Sequence, residues 1–204
     1  MKRLIPFVLC TLALAAPAFA QRGGGRGGGR GGAPAAPIAL EPGASQAEVD
    51  KALMAAPDNV KAQATVIKWN PSDWTYTTLR KGTNKMVCFD KSGLPGQPAF
   101  MTECTTLGNL PRAAQNMKFE SEPDRAKRQA ALDAAEKNGT RVKPEFGSVW
   151  YHAMGDQANP RHHMTIAVPM ATKATLGLPE DASQGGVWIM NPGTTTAHLM
   201  TPGE

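Results

Sequence analysis

YHAMGDQANPRHHMTI runs from Tyr151 to Ile166. Its two apolar-polar halves flank Gly155-Asp156-Gln157-Ala158-Asn159-Pro160, a stretch rich in turn formers. That pattern reads as strand, turn, strand. The halves belong to longer runs, FGSVWYHAM and HHMTIAV, and two more follow in GVWIM and AHLM, separated by Gly, Pro and Asn. Upstream, ATVIKW, WTYTTLR, KMVCF and AFMTEC have the same character, and TTLRKGTNKMVCF reads as a hairpin turning near Gly82–Asn84. Between the two groups of strands lies a charged, Ala-rich stretch. Ser121-Glu-Pro-Asp opens it, AKRQAALDAAEKN follows, and Gly139 closes it as a helix. Another helix is expected earlier. Ser45-Gln-Ala-Glu48 is a capping-box pattern, and Pro57 stops the helix it starts. Strands, helices, then strands predict an α+β domain with a mainly antiparallel sheet and two or three helices.

The same alternation sorts the histidines. Trp150, His152 and Met154 share one face of their strand, His163 and Thr165 one face of the next, and His198 and Met200 one face of the last. Paired strands would bring His152, His163 and His198 together, with Asp156 on the intervening turn. Neutral imidazoles suit copper or zinc, and thioethers such as Met164 and Met200 select Cu(I). Set against this, Met fills irregular cores and a buried His commonly hydrogen-bonds to backbone or a carboxylate. A His–Asp pair is also the start of hydrolase chemistry. No nucleophile elbow, Walker loop, dinucleotide fingerprint or H-E-x-x-H helix accompanies it, and Ser148 in Phe-Gly-Ser-Val lacks the G-x-S-x-G frame.

MKRLIPFVLCTLALAAPAFA begins the chain of 204 residues. A basic start, an apolar stretch too short to span a bilayer, and Ala18-Phe19-Ala20 read as a secretory signal peptide over residues 1–20, cleaved after Ala20. The expected location is periplasmic or extracellular, with no transmembrane segment after cleavage. QRGGGRGGGRGGAPAAP follows, and residues 21–44 read as a disordered Arg/Gly- and Pro/Ala-rich linker. The net charge of +5 resides in these two segments: Lys2, Arg3, Arg22, Arg26 and Arg30 account for it. From Ala33 onward charges cancel, so no nucleic-acid partner is expected. Residues 45–204, about 160 in number, suit a single domain.

Of 3 cysteines, Cys10 leaves with the leader. Cys88 and Cys104 remain in an oxidising compartment, where a disulfide is expected. The alternative, a pair of thiolate metal ligands, lacks CxxC spacing and a nearby His.

LRKGTNKMVC (Leu79–Cys88), Met101–Cys104, His163-Met164 and GGVWIMNPGTTTAHLM (Gly185–Met200) together resemble an uncharacterised family of secreted bacterial proteins with LR-x-GTN-x-x-x-C and GT-x-x-AHLM segments. The resemblance spans roughly Ala64 to the C-terminus. It implies a shared fold and carries no established activity.

The expected role is therefore an envelope or extracellular binding module. Trp150, Tyr151 and Trp188 are the candidate ligand-binding aromatics, and an envelope polymer, glycan or peptide is the expected partner. A His/Met metal protein using His163, His198, His152 and Asp156 is the alternative, and a hydrolase-like enzyme the third reading.

Overall fold

A computed structural model describes residues 37–201. The expected signal peptide, and the linker as far as residue 36, lie outside the described residues. Leu40 already bridges to Arg80, so tertiary pairing begins five residues ahead of the expected start at Ser45.

Helix α1 (Gln46–Ala52) starts at the expected capping box: Ser45 Oγ accepts from the Glu48 N–H, and the Glu48 carboxylate accepts from the Ser45 N–H. Leu53–Ala55 tightens into a 3-10 turn, and a short α2 (Asp58–Lys61) follows. Strands β1 (Thr65–Trp69), β2 (Tyr76–Arg80), β3 (Met86–Asp90) and β4 (Met101–Thr106) precede α3 (Leu110–Glu120) and α4 (Arg125–Lys137). Then come β5 (Val149–Asp156), β6 (Asn159–Ala167), α5 (Lys173–Leu176), β7 (Trp188–Met190) and β8 (His198–Met200). All eight strands form one sheet in the order β2-β1-β3-β4-β5-β6-β8-β7. Among the described residues only the β1–β3 pair is parallel. The expected α+β class, the mainly antiparallel sheet and the Cys88–Cys104 disulfide are all present.

Period-two alternation splits the sheet into two buried faces. Val66, Cys88, Cys104 and Ala153 pack under Val49, Ala52 and Leu53 of the α1 layer. Ile67, Trp69, Val87, Phe89 and Trp150 face the other way, against Leu110, Ala113 and Met117 of α3. The sheet is thus the middle of three layers. The sequence reading missed α3. Pro111 in its first turn and buried Leu110, Ala113 and Met117 at helical spacing form its signature.

The hairpin expected across Gly82–Asn84 is not there: β1 lies between β2 and β3. The actual hairpin is β1–β2. The LRKGTN segment is a latch onto the end of α2. Arg80 donates to the Lys61 and Ala64 carbonyls. The Thr83 and Asn84 N–H groups both donate to the Gln63 carbonyl at 2.9 and 3.1 Å, and Asn84 Nδ2 reaches Val60 O. Backbone approaches so closely at Gly82 that a Cβ would lie 2.3 Å from Gln63 O and Thr65 N.

Candidate functional site: a polar cleft beneath α3

Register places the site. Glu103 of β4 pairs with His152 of β5, which pairs with His163 of β6. All three stand on the α3 side of the sheet, the face that carries Trp150. Just past β3, Lys91 reaches Glu103 at 3.2 Å and Glu120, the last residue of α3, at 3.1 Å. The Lys91 and Glu103 side chains are 4% and 5% exposed. Glu120 also accepts from Gln97 Nε2 at 2.7 Å.

Burial opposes both charges in the pair, but each partner outweighs it. Burial would raise the Glu103 carboxyl; the Lys91 charge and the His152 contact instead bring it down to about 2. Burial would lower Lys91; Glu103 and Glu120 instead raise it. The pair is therefore ionised. His152 Nδ1 lies 3.4 Å from Glu103 Oε2. At that length the contact is electrostatic more than a hydrogen bond, and the buried Nδ1 has no other partner.

The C-terminal segment closes the other end. Glu136 of α4 accepts from the Thr195 N–H and hydroxyl. Arg112 of α3 donates to the Thr195 and Thr196 hydroxyls and the Val142 carbonyl. The GTTTAHLM segment is thereby pinned to both helices, and His198 follows it. His198 Nδ1 lies 2.8 Å from the Thr196 carbonyl. A carbonyl only accepts, so Nδ1 carries a proton. Lys91, Glu103, Arg112, Trp150, His152 and His198 line one cleft of about 190 Å³. That is smaller than the roughly 300–1,000 Å³ of drug-sized sites, and suits a ligand of few heavy atoms.

His152 and His163 meet as expected, their rings 6.0 Å apart and inclined by 28°. Burial, then the neighbouring His152, His198 and Arg161, lowers the His163 pKa. His198 does not join them in one ligand set. It pairs with Ala167, four residues along β6 from His163, or about 13 Å at strand rise. Asp156 sits at the hairpin tip opposite Asn159, where its carboxylate accepts from the Ala158 N–H. It is likewise four residues from His152. Among the described residues no group of three or more His, Cys, Asp or Glu side chains is placed to hold a metal ion. The carboxylate beside a histidine is Glu103, not Asp156. Cys88 and Cys104 are cross-strand partners joined as a disulfide, which removes them as thiolate ligands.

The three candidate aromatics do not form one platform. Trp150 is a buried wall of the cleft. Tyr151 points to the opposite face and packs against the α1-side core. Trp188 lines a separate groove with Arg161, His163 and Met200. A different trio does gather: Trp69, Trp74 and Tyr76 border a groove of about 440 Å³ with Leu110 and Pro111 of α3. Trp74 adopts a left-handed backbone, φ +59°, which is uncommon for a bulky residue.

Sequence reasoning passed over Lys91, Glu103, Glu120 and Arg112. One signal was available. Glu103 sits inside a strand beside Cys104, so if the cysteine faces one core the glutamate faces the other, and a charge so placed needs a partner. No family model, curated protein or solved structure significantly matches this chain.

Proposed function

We propose that this chain is an exported binding module that takes a small polar ligand into the cleft between the sheet and α3. The observation that carries the reading is the gathering of buried ionised groups there. Lys91, Glu103 and Arg112 are all buried and all line this one opening. A buried ion pair contributes little net stability, because desolvation offsets its Coulomb gain. Two imidazoles and the Thr165 hydroxyl line the same opening and add hydrogen-bonding capacity. The N-terminal leader and the disulfide support export, since such bonds persist outside the reducing cytoplasm.

The test is a ligand screen on the mature, oxidised chain. Amino acids, small organic acids, monosaccharides and polyamines are added singly, and the histidine and tryptophan side-chain NMR signals are followed. Saturable shifts at His152, His198 and Trp150, lost in His198→Ala, support the reading. Shifts confined to other surfaces, or none from any class, overturn it.

A second reading has its own observation. The left-handed Trp74 holds a strained backbone beside an aromatic groove, and such strain clusters at ligand clamps. This favours glycan stacking on Trp74 and Tyr76. Quenching of tryptophan fluorescence by a soluble envelope oligosaccharide, abolished in Tyr76→Ala, is the expected result. Equal quenching in that variant sinks it.

A further inference from the structure

Arg112 is 3% exposed and lines the cleft. A guanidinium has five N–H donors in a planar fork. Three hydrogen bonds from Arg112 are accounted for, and all go to neutral oxygens: Nη1 to Val142 O and Thr195 Oγ1, Nη2 to Thr196 Oγ1. Among the described residues Arg112 makes no ion pair. Both Nη1 protons are therefore used, and one Nη2 proton. Nε–H and one Nη2–H are left, and Nε–H lies on the side-on edge that the guanidinium shares with Nη2.

Among the described residues Arg112 Nε has no hydrogen-bond partner and yet is not fully enclosed, whereas Nε of the nearby Arg141 is both unpartnered and fully buried. On a residue this enclosed, the remaining access is through the cleft. Burial, and then the Arg141 charge beside it, lowers the Arg112 pKa to about 10. Glu136 and Glu120 oppose that shift from beyond ion-pair distance, so Arg112 is a buried cation with no carboxylate in direct contact and with unused donors, half of a charge-assisted pair.

We infer that the cleft binds its ligand by a carboxylate, taken side-on by the Nε–Nη2 edge of Arg112. This rests on the reading of the cleft as a small-ligand site and names the ligand's recognised group. The other charges in the cleft are tied to one another. Glu103 is neutralised by Lys91 at 3.2 Å, and Glu120 shares that lysine at 3.1 Å and accepts from Gln97. Lys91 against Glu103 and Glu120 leaves one negative charge, which Arg112 offsets. The free positive edge is local to Arg112, so a compact anion fits and an extended polyanion does not. His198 lines the same cleft, and in a neutral ring protonated at Nδ1 its Nε2 can accept from a hydroxyl or ammonium on the same ligand. A carboxylate matches the planar fork at two points; phosphate meets it as well, but without the planar match.

The experiment uses the whole mature chain, with its disulfide formed, and pairs of probes that differ only in charge. Acetate is compared with acetamide, succinate with succinamide, and lactate with lactamide, with inorganic phosphate, glucose and putrescine as further arms. Binding is read by calorimetry and by side-chain NMR of Arg112 Nε–H. The expected result is that at least one carboxylate binds at least tenfold more tightly than its amide and shifts the Arg112 Nε–H signal. Arg112→Lys keeps the charge and loses the fork, and is expected to weaken that binding at least tenfold. Arg112 also ties down Thr195 and Thr196, so the comparison of acid with amide on the unaltered chain decides the matter if the variant does not fold.

Equal binding of acid and amide overturns the inference. So does binding of glucose or putrescine in the cleft without any carboxylate, which leaves the small-ligand reading standing. Phosphate binding without carboxylate binding overturns the carboxylate assignment. No binding by any arm, with His152 and His198 signals unmoved, overturns both.

Discussion

Lys91, just past β3, and Glu103 of the neighbouring β4 form an ion pair at 3.2 Å beneath α3, with both side chains about 95% withdrawn from solvent. Their elements put them there. Lys91 follows the last residue of β3, and Glu103 alternates with the disulfide-bonded Cys104 on β4. Removing one partner leaves the other charged and buried, which costs about 3–5 kcal/mol. Glu103→Gln is expected to lower stability in urea by that order. A paired Lys91→Met/Glu103→Leu variant is expected to recover most of the loss, because it leaves no buried charge, only the part-exposed Glu120, which keeps its bond from Gln97. A double variant no more stable than the single one contradicts this.

The same pair sets the acid response. The Glu103 carboxyl falls from its ordinary 4.5 to about 2 in the folded chain. A depressed carboxyl stabilises the fold fully above the unfolded value and stops doing so as pH falls through the folded one. Stability on the order of 3 kcal/mol is therefore lost between pH 4.5 and about 2. Lys91 is shifted upward, so its contribution is complete below 10.5 and fades only as pH rises through its higher folded value. Urea midpoints of the wild type should fall steeply below pH 4.5, and those of Glu103→Gln less so. Parallel curves for the two proteins refute the assignment.

Cys88 and Cys104 are both fully buried, between the sheet and Ala52. Closing a loop of 16 residues' separation constrains the unfolded chain by about 3 kcal/mol. Cys88→Ser/Cys104→Ser is expected to lose about that much and to melt several degrees lower. A mild reductant should leave the folded protein oxidised and act only as denaturant opens the core. Rapid reduction in native buffer, followed by thiol labelling, argues against that burial.

Local chemistry was readable in the sequence, and long-range placement was not. Ser45 and Glu48 announced α1, and alternation put His152 and His163 on one face, because caps and strand periods depend on near neighbours. The β2–β3 hairpin failed because Gly82–Asn84 carries turn residues for another purpose, docking on Gln63 across β1. The metal set turned on register: Asp156 and His198 each stand four residues from the nearest facing histidine, and alternation fixes the face but not the level along a strand. The Lys91–Glu103–Glu120 network joins β4, α3 and the loop after β3, a relation that no spacing rule contains. Arg112 looked like one more helix charge until Thr195 and Thr196 came to meet it from the far end of the chain.

Gly82 tests what the LRKGTN segment is for. Nearly every polar group in it is spent on α2 and the chain leading into β1, through Arg80, Thr83 and Asn84. None of these residues lines the cleft. A methyl group at position 82 would meet backbone atoms of Gln63, Ala64 and Thr65 at 2.3 Å. Backbone cannot swing aside as a side chain can, so the loop must lift and give up its two hydrogen bonds to Gln63 O. Gly82→Ala is expected to cost about 1–3 kcal/mol, in the range of overpacking. Amide exchange should quicken first at Thr83, Asn84 and the N-terminal half of β1. Ligand-induced shifts at His152 and His198 should persist wherever the variant is still folded. A Gly82→Ala protein of normal stability that had lost those shifts would make the segment part of a binding surface instead of a latch.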